Sequence, residues 1–229
     1  FSLPLFMNDK IKSLAQVRTA MRKGATVVPL VKKISADMLT PVSAFLRLSS
    51  DKEPAFLLES VEGGVYFARY SFIGRRPFES LYVENGQAYS KNLNGIRPLN
   101  GNPFFALGKR LESFRALPEP GLPRFCGGAV GFVGYEMIRY LEPSVNLKSP
   151  SGLEAQLMLY GNIAVFDHLS HQILLIANVI AQKGPLVKGY DAALRALQGM
   201  QEQLQGPEKI DLTNNSTGQL QKPQPCMGR

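Results

Sequence analysis

The stretch SLYVENGQAYS, residues 80–90, decides the fold class of this 229-residue chain. Two runs of strand-forming residues flank Asn85 and Gly86. Both residue types tolerate the positive φ angles of a type I′ turn, which matches the twist of the strands it joins. The stretch therefore predicts a β-hairpin, and a turn this short requires its two strands to run antiparallel.

A second hairpin is predicted in MLYGNIAVFDHLSHQILLIANVIA, residues 158–181, where two apolar runs flank the polar stretch 167–171. Shorter runs rich in apolar residues, at 27–31, 44–48 and 56–59, resemble strands. Hairpins outnumber strand–helix–strand units along the chain. We therefore expect an α+β fold, with a mostly antiparallel sheet and flanking helices, rather than a doubly wound parallel sheet.

Three helices are predicted from apolar residues at helical spacing. The first has Asn8 as its candidate N-cap and Gly24 just past its end, and the second begins at Asn102 and Pro103 and ends by Pro118. The three helices cover about residues 9–23, 103–117 and 188–204. These patterns divide the chain into an N-terminal helix (1–25), one domain (26–205) and a polar tail (206–229) that we expect to be a disordered linker or a truncated end.

Composition restricts the class of protein. Hydrophobic residues make up 45% of the chain and charged residues 19%, which is ordinary for a globular core of this length. No run of 18 apolar residues is present, and the opening FSLPLFM lacks the features of a signal peptide. The two cysteines, Cys126 and Cys226, form no disulfide framework or zinc motif. We expect a cytoplasmic protein without a membrane partner, with a plastid as the alternative location in a photosynthetic eukaryote.

The net charge of +8 raises the hypothesis of a nucleic-acid partner. Such a protein needs basic residues on one face with aromatic residues between them. The lysines and arginines are instead scattered in pairs between apolar runs. The pattern favours a solvated basic surface, and we expect no nucleic-acid partner.

Asp167, His168 and His171 are candidate metal ligands. A polar hairpin turn also needs residues of this kind, and the sequence offers no fourth ligand. The two histidines share one turn and no G-x-S-x-G motif accompanies them, so a hydrolase triad is not indicated either. We predict no metal site and no catalytic residue in this chain.

Four glycines occur in the segment 127–134. They are not followed by the Lys-Ser/Thr pair of a phosphate-binding loop, and they lie inside an apolar strand. They predict a bulge or a close approach between backbones.

The stretch FLLESVEGGVYFARYSFIG, residues 56–74, carries the strongest candidate site. Glu59 ends an apolar strand, where a carboxylate is costly unless it meets a cation, and Ser60 adds a donor and an acceptor. Together they suit an ammonium group. Two glycines then allow the chain to return, so that Arg69 and the segment Tyr70–Ser71 offer a cation for a carboxylate and an aromatic face. The residues fit an amino acid zwitterion, but a plain Glu59–Arg69 ion pair explains them equally well.

Five blocks carry a resemblance to a known family: LTPVSAFLRL (39–48), FLLESVEGG (56–64), ARYSFIGRRP (68–77), GGAVGFVGYEMIRYLEP (127–143) and IAVFDHLSHQILLIANV (163–179). In this order and spacing the chain resembles the N-terminal region of anthranilate synthase component I. The resemblance covers nearly all of residues 26–180.

The resemblance implies an enzyme of tryptophan biosynthesis that converts chorismate and ammonia to anthranilate and pyruvate. It implies a glutamine amidotransferase partner, Mg²⁺ in a C-terminal chorismate-binding domain, and feedback inhibition by L-tryptophan. In the family the Leu-Leu-Glu-Ser motif, here 57–60, and the return strand bind tryptophan. The implied tryptophan-binding residues are Glu59, Ser60, Arg69, Tyr70, Ser71 and Phe72. The family fold packs two sheets orthogonally with strands from both halves of the chain, so an isolated N-terminal half is expected to expose apolar sheet surface.

Two features qualify the resemblance, and two alternatives compete with it. The chain begins with Phe1 and ends in a polar tail, which suggests a fragment without the catalytic domain and without lyase activity of its own. The large subunit of aminodeoxychorismate synthase, in the folate pathway, shares the same architecture. A non-catalytic amino-acid-binding module is the alternative from another class.

Overall fold

The computed structural model describes residues 11–50, 53–59, 69–142, 144–145, 147, 151–181 and 185–206. Its α-helices are α1 (Leu14–Arg22), α2 (Pro41–Leu48), α3 (Pro103–Glu112) and α4 (Leu186–Gln205), with a short 3₁₀ helix at Tyr135–Tyr140. Its strands are β1 (Val27–Ser35), β2 (Ala55–Leu58), β3 (Tyr70–Arg75), β4 (Glu79–Glu84), β5 (Gln87–Asn92), β6 (Gly95–Leu99), β7 (Gly128–Val133), β8 (Leu153–Tyr160), β9 (Asn162–Asp167) and β10 (Gln172–Ile180).

The strands form two five-stranded sheets. The strand order is β1-β10-β9-β3-β2 in the first sheet and β6-β5-β4-β8-β7 in the second. Every pairing between these strands is antiparallel. The predicted α+β class with antiparallel sheets and flanking helices is therefore confirmed.

Each sheet has a separate layer of helices. Helices α1, α2 and α4 cover one face of the first sheet, where Val17, Leu48 and Leu197 join its buried side chains in one cluster. Helix α3 and the 3₁₀ helix cover the second sheet through Leu107 and Met137. A third cluster lies on the other face of the first sheet and includes side chains of β7 and β8 in the second. The apolar core is thus divided into three layers.

The predicted hairpin at residues 80–90 is confirmed. Asn85 and Gly86 have φ angles of 50° and 81°, as a type I′ turn requires. The Asn85 side-chain oxygen accepts a hydrogen bond from the Gly152 backbone N–H at 2.8 Å. The hairpin is therefore tied to the start of β8 as well as closed by its own turn.

Two predictions are corrected by where helices begin. Helix α1 begins at Leu14, because Ser13 and Gln16 form a reciprocal capping box there; the predicted cap, Asn8, lies outside the described residues. Residues 44–48, grouped with the strand-like runs, belong instead to α2. Thr40 caps that helix and Pro41 occupies its first turn, and these start signals outweigh the short apolar run.

The helix predicted over about 103–117 ends earlier, at Glu112, because Ser113 caps it and its hydroxyl donates to the Arg110 carbonyl at 2.6 Å. The other elements follow the predictions closely. Helix α4 covers the helix predicted at about 188–204, and the hairpin predicted in 158–181 is formed by β9 and β10. The glycine segment forms β7 and leads into the 3₁₀ helix. A Cβ atom added at Gly131 would lie 1.9 Å from the Gln156 carbonyl oxygen, which confirms the predicted close backbone approach.

Some apolar side chains on β7 and beyond it are exposed. This strand lies at the edge of the second sheet, and Phe132 and Val133 are 48% and 53% exposed. Tyr135, just after the strand, is 74% exposed. Within the described residues, no helix is long and apolar enough to cross a membrane. Most of the predicted tail, residues 207–229, lies outside the described residues.

Candidate functional site

The candidate site lies at one end of the first sheet, where β2 ends and β3 begins. The two strands pair so that Leu58 lies opposite Phe72. Glu59 follows Leu58 directly, is exposed, and by continuation of this register lies next to Ser71. Ser60 and the connection 61–68 lie outside the described residues. The structure therefore brings Glu59 and the return strand to the same end of the sheet.

Arg69 is held by a carboxylate that the sequence interpretation did not pair with it. Its Nε and Nη2 atoms donate to the two carboxylate oxygens of Asp167, at 3.0 and 2.8 Å. Asp167 ends β9, and its side chain is 8% exposed. Among the described residues, the ion-pair partner of Arg69 is therefore Asp167. The alternative prediction, a Glu59–Arg69 ion pair, is wrong.

The electrostatics of this pair fix its charge state. Burial opposes ionisation of Asp167, but hydrogen bonds from Arg69 and Ser170 outweigh it and hold the pKa of Asp167 below its ordinary value. The hydrogen bond with Asp167 likewise raises the pKa of Arg69. The Arg69 guanidinium also lies 4.8 Å from the centre of the Tyr70 ring. The cation is thus positioned from two sides.

Ser71 faces the helix-covered side of the sheet. It is 1% exposed, and its hydroxyl oxygen lies 2.8 Å from Nε2 of His168. The backbone N–H of His168 donates to the Arg69 carbonyl at 2.9 Å. The turn between β9 and β10 therefore fixes the backbone of the return strand and the side chains of two predicted site residues.

Tyr70 and Phe72 face the opposite side, toward the second sheet. Both are partly buried, and their ring centres are 6.1 Å apart. Phe72 makes an edge-to-face contact with Phe125 at 5.5 Å. The predicted site residues consequently divide between the two faces of β3, with the aromatic rings on one face and Ser71 on the other.

Asp167 and His168 are the site residues that sequence reasoning missed. In the sequence they stand out as candidate metal ligands in a polar turn, not as partners of Arg69 and Ser71. Among the described residues, no group of three or more His, Cys, Asp or Glu could hold a metal ion. One signal was available: Asp167 ends an apolar strand in the same way as Glu59. The geometry makes both residues positioning groups for Arg69 and Ser71.

A cavity lies elsewhere in the described chain, between β1, α3 and the loop after α3. Its volume is about 500 Å³ and its lining is mostly apolar. Cys126 lies there, and burial raises the pKa of its thiol to about 11. A thiol with so high a pKa is a poor nucleophile near neutral pH, so the cavity supplies no catalytic group of this kind.

Comparison with known proteins gives consistent names. No family model matches the chain. It is 36% identical over 200 residues to "Probable anthranilate synthase component 1" of Schizosaccharomyces pombe, covering 85% of this chain and 38% of that protein. It is 35% identical over 187 residues to "Anthranilate synthase component 1" of Acetivibrio thermocellus, covering 80% and 37%. For the Mycobacterium tuberculosis protein of the same name the identity is 36% over 190 residues, covering 79% and 37%.

The crystal structure of anthranilate synthase component I from Streptococcus pneumoniae TIGR4 matches with a TM-score of 0.49 and 26% identity, covering 76% of this chain and 37% of that one. The chain spans less than two-fifths of the length of each of the three curated relatives. Over about four-fifths of its own length, this chain is a relative of anthranilate synthase component 1.

Proposed function

We propose that this chain is the N-terminal, tryptophan-binding part of an anthranilate synthase component 1. The whole protein would form anthranilate and pyruvate from chorismate and ammonia. The observation that carries the proposal is the pairing of β2 with β3, which sets Leu57 and Leu58 of the Leu-Leu-Glu-Ser motif beside the return strand. The names of the relatives support the reaction.

Each candidate site residue that the structure describes has a role in this proposal. The Glu59 carboxylate receives the ammonium group of the effector. Tyr70 and Phe72 lie on the other face of β3 from Ser71, so the effector would extend around the end of the sheet to set its indole ring against their aromatic surface. Arg69 uses one edge of its guanidinium for Asp167, which leaves Nη1 directed away from that pair for the effector carboxylate. Ser71, which is buried against His168, supports the strand rather than contacting the effector.

The catalytic machinery would lie outside this chain. The family resemblance implies Mg²⁺, but the described residues contain no group of three or more carboxylates, histidines or cysteines suited to a metal. These residues would therefore not form the Mg²⁺ site, which the resemblance places in the C-terminal chorismate-binding domain. The name component 1 implies a second component, and we propose that this partner is a glutamine amidotransferase that supplies ammonia.

The proposed function is tested by determining the coding sequence beyond Arg229 and assaying the complete protein. We expect a chorismate-binding region there, formation of anthranilate from chorismate with ammonium salt, and inhibition of that reaction by L-tryptophan. Anthranilate is identified by its fluorescence. Formation of aminodeoxychorismate instead would favour the folate-pathway alternative, and a coding sequence that ends at Arg229 would favour a non-catalytic binding module.

A further inference from the structure

Three arginines and an amide converge at the opposite end of β3 from the candidate tryptophan site. Arg75, Arg76, Asn162 and Arg195 line a cavity of about 260 Å³ together with small and apolar residues of α4. Strand β3 is six residues long, so the two ends are about 17 Å apart at 3.3 Å per residue. This arginine cavity is therefore distinct from the site described above.

Arg75 is a buried cation without a carboxylate partner among the described residues. It is 9% exposed, and its Nη1 donates to the Leu48 carbonyl at 3.0 Å and to the side-chain oxygen of Gln203. Both acceptors are neutral. Burial, and after it the charge of Arg76, lowers the pKa of Arg75. A buried guanidinium held only by neutral acceptors favours an anion nearby.

The charges around Arg75 do not balance it. Glu53 forms an ion pair with Arg76, and it is the one carboxylate that raises the pKa of Arg75. Arg195 is exposed on α4 and, within the described residues, has no hydrogen bond or ion pair. The carboxyl end of α4 is already served by Arg47, which donates to the carbonyls of Leu204 and Gly206. Three cations therefore face one carboxylate.

The backbone at Arg76 is held in an unfavourable conformation. Its φ angle is 52°, in the left-handed region that favours glycine, and it directly precedes Pro77, which further restricts its backbone. Strain of this kind persists where the surrounding structure enforces it, and it concentrates at ligand sites. Gly199 leaves open space on the adjacent face of α4.

We propose that the arginine cavity binds the phosphate group of a small soluble ligand, either inorganic phosphate or a phosphate monoester. A phosphate monoester carries close to two negative charges at neutral pH, which matches the two cations in excess over Glu53 better than one carboxylate does. Guanidinium groups bind phosphate oxygens in bidentate geometry. Arg76 and Arg195 contact the anion at the cavity mouth, and Arg75 supplies buried positive charge behind them.

The test is calorimetric titration of the full chain with sodium phosphate and, separately, with glycerol 3-phosphate, at constant ionic strength in chloride. We expect millimolar or tighter binding of at least one, weakened at least tenfold in Arg195→Gln and in Arg76→Asn. Asn tolerates a positive φ angle, so Arg76→Asn should fold at least as stably as the wild type. Arg75 is left unchanged, because its removal would leave the Leu48 carbonyl without the hydrogen bond that Arg75 donates to it.

Arg18→Gln is the matched control, since Arg18 is an exposed arginine on α1, outside the cavity lining. Its binding should stay within twofold of the wild type. Preference for the monoester would identify an organic phosphate as the natural ligand, and equal binding would identify inorganic phosphate. Three results would overturn the proposal. The first is a heat of titration with either phosphate no larger than that with sodium chloride, and the second is an equal loss of phosphate affinity in Arg195→Gln, Arg76→Asn and Arg18→Gln. The third is tighter binding of malonate, a dicarboxylate titrated in the same way, than of both phosphates.

Discussion

Substitution of Gly131 by alanine is expected to destabilise the chain by about 3 kcal/mol or more, at the upper end of the cost of overpacking. Gly131 lies on β7 and pairs with Leu157 on β8. The added Cβ would lie 1.9 Å from the Gln156 carbonyl oxygen and 2.8 Å from its carbonyl carbon. These are backbone atoms that cannot rotate away, so β7 must shift and weaken its pairing with β8.

Urea unfolding followed by far-ultraviolet circular dichroism measures this effect. Gly108→Ala is the matched control, because Gly108 lies inside α3 and a Cβ there meets nothing within 4 Å. Alanine favours a helix over glycine by up to about 1 kcal/mol, so the control should be slightly more stable than the wild type. Equal midpoints for Gly131→Ala and the wild type would contradict the close strand approach.

Replacement of Arg110 by methionine is expected to cost about 3–5 kcal/mol, because it strands a buried carboxylate. Glu79 is 3% exposed and begins β4. Arg110 on α3 donates to its two carboxylate oxygens at 2.7 and 2.5 Å, and Ser90 donates to one of them at 2.6 Å. Methionine keeps about the length of the aliphatic stem of arginine but removes the guanidinium group and its charge.

The pH dependence of this effect has a definite sign. Burial opposes ionisation of Glu79, but Arg110 and Ser90 outweigh it and lower its pKa. In the wild type, the ionised Glu79 therefore contributes its full stabilisation above the pKa of an unfolded glutamate, about 4.3. This stabilisation is lost as the pH falls through the lower pKa that Glu79 has in the folded chain. Without Arg110, burial instead favours the protonated acid. The loss of stability in Arg110→Met should be largest near pH 7 and shrink in acid.

Two further variants control for this interpretation. Arg97 lies 4.0 Å from the same carboxylate with a side chain that is 55% exposed, so Arg97→Met should cost less than about 1 kcal/mol. Adding Glu79→Gln to Arg110→Met removes the stranded charge and should recover part of the lost stability. A double variant no more stable than Arg110→Met at pH 7 would show that helix packing, not charge, determines the loss.

Local signals in the sequence predicted much of the fold. The Asn85–Gly86 turn fixes a hairpin within eleven residues, and the structure has it at the predicted positions. Residues 44–48 show where such reasoning fails, because an apolar run of five fits a strand or one face of a helix. The cap at Thr40, four residues earlier, carried the information that decided between them.

The candidate site was harder to predict, because its contacts join distant parts of the chain. Arg69 and Asp167 are 98 residues apart and meet because β3 pairs with β9. Periodicity identifies each strand but does not give the order of strands in a sheet. The interpretation of Asp167 and His168 as metal candidates followed from viewing the turn in isolation. Their contacts with Arg69 and Ser71 required the register between strands.

We propose that the end of β2 and the return strand bind tryptophan. Calorimetric titration of L-tryptophan into the complete protein tests it most directly, with the variants Glu59→Ala and Glu84→Ala. Glu84 is the matched control, because it is also an exposed carboxylate at the end of a strand. We expect Glu59→Ala to abolish binding and Glu84→Ala to retain it. Equal binding by both variants, or no binding by the wild type, would contradict it.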